Sequence, residues 1–332
     1  MVLGWGRAPG KVILFGEHAV VYGRPALAVP VTQVQAEAVV EAGEAGAGLT
    51  IVAADLGETI ALRSAPPDHP LAVAARLTLV KLGLSDPDWR VTVRSTIPIA
   101  SGMGSGAAVS AAIVRALAEA GERRSRGAEE QSASSFQLPA STFQAADVSA
   151  LVYEVERLHH GMPSGIDNTV VVYGQPVYFV RGQQPQTLPI GRPFALAIAD
   201  SGIASPTKIA VGDVRRAWER EPACFEALFD RVAAIVEAAR AAIAAGEPER
   251  LGPLMDENHA LLQEIGVSCP ELDALVAAAR AEGATGAKLS GAGRGGNMIA
   301  LVTEATAPQV AGALRAAGAV NVIVSTVRTS ET

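Results

Sequence analysis

Apolar positions alternate between short runs and helical stripes along this chain, and that pattern predicts its elements. "KVILF", residues 11–15, is a short apolar run ahead of Gly16, and "PALAVPVTQVQAEAVVEAG" reads as strand with breaks. "GEAGAGLT" predicts a turn between strands, with "TIVAADL" beyond it. Residues 71–82, "LAVAARLTLVKL", have helical periodicity that stops at Gly83, a suitable residue just past a helix end. "WRVTVRSTIPIA" alternates as a strand does, and "AAVSAAIVRALAEA" is an Ala-rich helix with "SGMGSG" between them. Residues 121–145 are polar, Ser-rich and charged, and predict a flexible surface insertion or loop.

A further helix is expected from Asp147 to His160, with an apolar stripe at Val148, Leu151, Val152, Val155 and Leu158, ended by Gly161. "RGQQPQTLPIGRP" reads as a crossing between two lobes. Beyond it come strand "FALAIAD", Ala-rich helices at about 225–245 and 270–282, strand "NMIALV", helix "APQVAGALRAAG" and strand "VNVIVSTV". There is no internal repeat. The mixture predicts an α+β protein of two lobes, 1–185 and 186–332.

Composition narrows the class. Of 332 residues, 49% are hydrophobic and 18% charged, enough for a packed interior and unlike a disordered chain. A net charge of −7 argues against a nucleic-acid binder but leaves room for an anionic ligand, which needs only local donors. No secretory h-region and no uninterrupted apolar stretch of membrane length occur, so a cytoplasmic protein is expected, without a membrane partner. Cys224 and Cys269 lack metal-type spacing and read as free packing thiols, a lone bridge between them being the alternative. Only four lysines stand among 27 basic residues: Lys11, Lys81, Lys208 and Lys288. A chain that otherwise uses Arg retains Lys where a compact ammonium is needed, which points first to Lys11.

Three glycine-bearing stretches carry the chemistry. "SGMGSG" sits between strand and helix, the layout of an anion cradle, although a plain turn fits as well. It lacks the Walker A pattern and the dinucleotide fingerprint spacing. "SGAGRGG", Ser290 to Gly296, reads either as a tight turn or as a loop packed against a ligand or against the first glycine loop. "APGKVILFGEHAVVYGRPALA" adds Lys11, Glu17 and His18, which core filling does not explain. In "HHGMPSGIDNTVVVYG", Asp167 is locally either an ordinary turn residue or a proton acceptor. "ERLHH" lacks the zinc-protease pattern, and His259 reads as a structural contact on a helix. Thr207-Lys208 fits a helix cap followed by a surface cation.

Taken together and in this order, these stretches resemble the galactokinase–homoserine kinase–mevalonate kinase–phosphomevalonate kinase (GHMP) superfamily over about residues 7–327. "APGKVILFGEHAVVYG", "ERLHHGMPSGIDN" and "DSGIASPTK" are similar to segments of the mevalonate kinases within it. The resemblance implies a ribosomal protein S5 domain 2-like N-terminal lobe and a ferredoxin-like C-terminal lobe. It implies ATP and Mg²⁺ as cofactors, mevalonate as the small-molecule partner, and phosphorylation of the 5-hydroxyl of (R)-mevalonate. Carried over residue by residue, Asp167 and Lys11 fall at catalytic positions. Ser101, Gly102, Met103, Gly104, Ser105, Gly106 and Ala107 form the phosphate loop. Glu156, with Ser105, falls at the metal position, and Glu17, His18, Ser164 and Thr207 at the substrate pocket.

Two departures stand out. Gly106 replaces a serine that binds metal and phosphate in relatives, and Arg294 replaces a glycine of the third motif, to meet phosphate or solvent. The rival expectations are another kinase of the superfamily, acting on a related alcohol or sugar, and a silent nucleotide- or metabolite-binding relative. The sequence does not set the oligomeric state, a homodimer being one option.

Overall fold

The computed structural model describes residues 1–98, 101–130, 143–160, 163–205 and 207–328. A long antiparallel ribbon of β1 (Val2–Phe15) and β2 (Ala26–Ala42) is the spine of the first lobe. The apolar run 11–15 is thus the end of a strand that begins nine residues earlier. Gly4 and Gly6 explain why periodicity misses that beginning. A Cβ at Gly4 would stand 2.1 Å from the Ala116 carbonyl oxygen, and one at Gly6 2.3 Å from that of Ala112. Glycine lets α2 (Ser105–Glu130) lie directly on the strand, a pattern of size rather than polarity.

Around the ribbon stand β3 (Thr50–Ala53), β4 (Glu58–Ala61), β5 (Trp89–Ser95), β6 (Val177–Phe179) and β7 (Gln186–Thr187). The order is β4-β3-β5-β2-β6-β7, with β1 pairing along β2. The "ADL" of "TIVAADL" is a 3-10 turn rather than strand. Helices α1 (Pro70–Lys81), α2, α3 (Ala145–His160) and α4 (Ile166–Tyr173) belong to this lobe, and Gly83 past α1 is left-handed at φ 66° as its place predicts.

The second sheet contains β8 (Phe194–Asp200), β9 (Gly286–Ser290), β10 (Asn297–Val302) and β11 (Asn321–Val327). Its antiparallel order β11-β8-β10-β9 is ferredoxin-like, as expected. Its helices are α5 (Thr207–Arg220), α6 (Pro222–Ala245), α7 (Leu251–Glu264), α8 (Pro270–Ala281) and α9 (Ala307–Ala316). One continuous apolar core runs through both sheets. Tyr22, from the Ala-Val-Val-Tyr-Gly segment, stacks on Phe229 of α6 with ring centroids 4.3 Å apart. Ser290 Oγ accepts from the Ile13 amide at 3.1 Å and donates to the Ile13 carbonyl at 2.9 Å, which brings the second glycine loop beside Lys11.

The expected loop over 121–145 is corrected for its first ten residues. Helix α2 continues to Glu130 because Glu119 and Arg123 pair across one turn at 2.6 Å and Gly121 packs against Leu82. Residues 131–142, and the helix stop at Gly161, lie outside the described residues. Cys224 and Cys269 are both free; Cys269 packs against the core, but Cys224 is exposed rather than packed. Among the described residues no helix is long and apolar enough to cross a membrane.

Candidate active site

The site begins where α4 meets the end of β1. Gly165, left-handed at φ 94°, turns the chain into α4, and the Ser164 hydroxyl accepts from the Ile166 amide at 3.3 Å. Asn168 donates to Ser149 Oγ on α3 at 2.8 Å, and Arg115 of α2 donates to the carbonyls of Arg7 and Val172. These ties override the β preference of "TVVVY" and hold it helical. They place Asp167 in a helical first turn, so it is not a turn residue. Its Oδ1 lies 3.0 Å from Lys11 Nζ, and Nζ also donates to the Gly102 carbonyl at 3.0 Å. Lys11 is 3% exposed, so its ammonium is held by these two oxygens in place of water.

The phosphate-loop candidates surround that cation. Lys11 N–H donates to the Met103 carbonyl at 3.0 Å, and a Cβ at Gly104 would touch the Lys11 stem at 3.1 Å. The Met103 and Ala107 side chains belong to the core, so only their backbones face the loop. Ser101 is buried and its hydroxyl donates to the Pro98 carbonyl at 3.0 Å. The Ala108 amide already bonds the Gly104 carbonyl, which leaves the preceding amides of the α2 start for an anion. Gly106 is exposed and lacks the left-handed φ of Gly102 and Gly104. Glu156 on α3 is buried, and its Oε1 lies 3.3 Å from where a Cβ at residue 106 would stand. The second glycine loop packs against the first, one of its two expected roles. Asn297 Nδ2 donates to the Ser101 carbonyl at 2.6 Å, and a Cβ at Gly296 would stand 2.7 Å from that same oxygen.

The remaining candidates border a cavity of about 170 Å³ that adjoins Lys11, Glu156 and Asp167. His18 adopts φ 59° rather than extended backbone, and its Nε2–H donates to the Ala292 carbonyl at 2.9 Å. Burial pushes its pKa down to about 4, so the ring is neutral and Nδ1 remains an acceptor. The Glu17 carboxylate turns to Lys288, which also donates to the Leu289 carbonyl at 2.7 Å. Burial raises Glu17 and lowers Lys288, and each is opposed by the charge of the other. Ser164 and Thr207 line the cavity, and so does Lys208, which the residue pattern alone reads as a surface cation. Scarcity of lysine was the available signal for Lys208 and Lys288. Arg294, half-buried, pairs with Asp213 of α5. Among the described residues there is no group of three or more His, Cys, Asp or Glu that could hold a metal.

His259 fulfils the structural role expected of it. Its Nδ1 accepts the Leu289 amide at 3.3 Å, and Nε2 lies 3.1 Å from Asp273 Oδ1. Burial lowers its pKa to about 4, as for His18. Both folded values lie below the ordinary 6.5, so the unfolded chain binds more protons between them. Their stabilisation is complete above about pH 6.5 and is lost as pH falls toward 4, by up to about 3 kcal/mol for each group. Thermal unfolding between pH 7 and 4.5 is therefore expected to show a falling Tm, and His259→Gln should flatten part of that fall. An identical pH slope in the variant would refute this assignment.

Residues 70–175 match the family model for the GHMP kinases N terminal domain, and residues 235–320 that for GHMP kinases C terminal. The mevalonate kinase of Pyrococcus furiosus is 33% identical over 329 residues, covering 94% of this chain and 92% of the relative. That of Thermococcus sibiricus is 34% identical over 334 residues, covering 95% and 94%. The crystal structure of L. major mevalonate kinase in complex with R-mevalonate superposes with a TM-score of 0.80 at 29% identity, covering 99% of this chain and 97% of that one. Similarity of this extent identifies the chain as a member of the mevalonate kinases within the GHMP kinase family.

Proposed function

We propose that this protein transfers the γ-phosphoryl group of ATP to the 5-hydroxyl of (R)-mevalonate, giving 5-phosphomevalonate and ADP for isoprenoid precursor synthesis. The observation that carries the reading is the Lys11–Asp167 pair, 3.0 Å apart, where the glycine loop meets the acceptor cavity. The hydroxyl oxygen bonds to the γ-phosphorus, the bond from the γ-phosphorus to the β–γ bridging oxygen breaks, and ADP leaves with that electron pair. Asp167 takes the hydroxyl proton, and Lys11 fixes the carboxylate against the loop carbonyl of Gly102. Amides at the α2 start hold phosphate oxygens, while His18, Ser164 and Thr207 orient the acceptor, with Glu17, paired to Lys288, beside them at the cavity. The first lobe, whose sheet runs past the expected boundary at 185 to β7, supplies the loop and Asp167, and Thr207, Lys208 and Ala292 of the second border the same cavity. Incubation with ATP and (R)-mevalonate, followed by ³¹P NMR, tests the chemistry. A phosphomonoester on the 5-oxygen is expected, and an ADP signal without that ester would contradict it.

Magnesium fits the residues present. It prefers oxygen ligands and commonly needs one or two carboxylates beside phosphates and water. Glu156, next to the α2 start, is the carboxylate that would hold it, with Ser105 as a hydroxyl donor. When bound, the ion would neutralise charge on the phosphates. Because the Gly106 backbone is not left-handed, it suits a serine, whose Cβ would stand a tight 3.3 Å from Glu156 Oε1, so that flexible carboxylate end has to give slightly. Gly106→Ser is therefore expected to keep activity within about a few-fold, since water substitutes readily for a hydroxyl ligand. Glu156→Gln should clearly raise the Mg²⁺ needed for half-maximal rate. The metal assignment fails if a stable Gly106→Ser gains greatly in Mg²⁺ affinity while Glu156→Gln changes nothing.

A further inference from the structure

Arg294 is a costly residue where it stands. It holds a left-handed φ of 56° within "SGAGRGG", a conformation that an L side chain rarely adopts. Its neighbours are glycines that could not be otherwise: a Cβ at Gly293 would stand 1.9 Å from the Val267 carbonyl oxygen. From this backbone the guanidinium reaches Asp213 of α5 with Nη1 and the Gly266 carbonyl with Nη2 at 3.3 Å. Its own amide donates to the Val267 carbonyl at 2.8 Å. The arginine is thus anchored to the 266–267 turn and holds α5 through a single carboxylate.

Helix α5 needs such a hold. Its last turns are held by Ala217 and Trp218, which pack against the core, Trp218 also donating to Glu226 of α6 at 2.8 Å, whereas its first turns have only Ala210 and Val214 buried. Yet its first turns, through Thr207, Lys208 and Val211, form one wall of the acceptor cavity. Asp213 also pairs with Arg216, but that residue lies on the same helix and ties α5 to nothing else. The far end of the same loop faces the opposite wall, because Ala292 accepts the His18 hydrogen bond. One loop therefore touches both sides of the cavity: Ser205, just ahead of α5, donates to its Gly293 carbonyl at 2.9 Å, and Arg294 is its side-chain contact with the helix itself. The forked guanidinium suits the task because it holds two acceptors at once.

We propose that Arg294 is a positioning residue that, through Asp213, sets the first turns of α5 over the acceptor end of the cavity. The proposal rests on the reading of mevalonate as the acceptor, and it assigns Arg294 no contact with phosphate. Steady-state kinetics of the full chain test it with Arg294→Gly, Asp213→Asn and the double variant. Arg294→Gly removes the arm and relieves the backbone together, so its Tm should hold or rise. Its KM for mevalonate should rise about threefold to tenfold, the range of a coupling between contacting residues, with kcat and the KM for ATP within about twofold. Asp213→Asn should give the same split. The double variant should be no worse than either single one, because all three remove one interaction. Arg294→Lys should recover part of the loss.

An unchanged mevalonate KM in both single variants, or additive losses in the double, would overturn the proposal. A fall in Tm with both KM values rising together would overturn it too, in favour of a purely structural role. ADP release by the unmodified protein that ignores mevalonate would remove the acceptor assignment and the proposal with it. Normal mevalonate turnover with unmoved variant KM values removes the proposal alone.

Discussion

Asp167→Asn is expected to lower kcat by about 10²-fold or more, the lower range for removal of a general base, while the protein stays folded. The side chain of Asp167 is 34% exposed, so the exchange buries no new polar group. Asparagine is isosteric, and its amide oxygen can still accept from Lys11, which also keeps the Gly102 carbonyl. The helical turn that presents residue 167 is held by Asn168 and by the left-handed Gly165, neither of which is changed. Circular dichroism and thermal unfolding should therefore match the parent while turnover collapses. Near-parental turnover in a preparation of proven purity would exclude Asp167 as the proton acceptor.

The second large effect is expected at Lys11, where arginine should not substitute. Lys11 is 3% exposed, its ammonium lies between a carboxylate and a carbonyl at 3.0 Å each, and its stem is against Gly104. A planar guanidinium is wider and presents its donors in a fixed fork, so it displaces the loop or the carboxylate. Lys11→Arg is expected to lose about tenfold or more in kcat/KM, or about 1.4 kcal/mol of transition-state stabilisation. Activity within about twofold of the parent would mean that the site reads only charge at this position. The scarcity of lysine in the chain would then carry no information about Lys11.

Much of this site was legible because its parts announce themselves locally. A strand, a glycine loop and an Ala-rich helix predict the α2 start, and Lys11 stands out in a chain dominated by arginine. The pairing of Lys11 with Asp167 was legible only through resemblance, since 156 positions separate them and no local rule joins such distant residues. Other features escaped for physical reasons. Helix α4 is rich in β-branched residues, and its helicity comes from tertiary ties to α3 and to Arg115 of α2 rather than from propensity. Helix α5 carries an apolar stripe at Ala210, Val211, Val214, Ala217 and Trp218, but the charged residues between them make the segment read as polar overall. Glu17 and Lys288 are 271 positions apart, and nothing local shows that each is the buried partner of the other. The reach of α2 past residue 121 was hidden by polar composition, because a solvated helix held by charge pairs resembles a loop in hydropathy alone.

The central claim is that the Lys11–Asp167 site phosphorylates mevalonate and not a related alcohol. A coupled ADP-release assay across (R)-mevalonate, phosphomevalonate, galactose and homoserine, run on the parent and on Asp167→Asn, measures it directly. The account predicts ADP release that depends on mevalonate, with kcat/KM at least about 10²-fold above every other acceptor, the scale on which a site built around specific polar contacts discriminates. It also predicts collapse of that rate in the variant. Faster release with another acceptor, or an acceptor-independent rate that the Asp167 exchange leaves untouched, would contradict it.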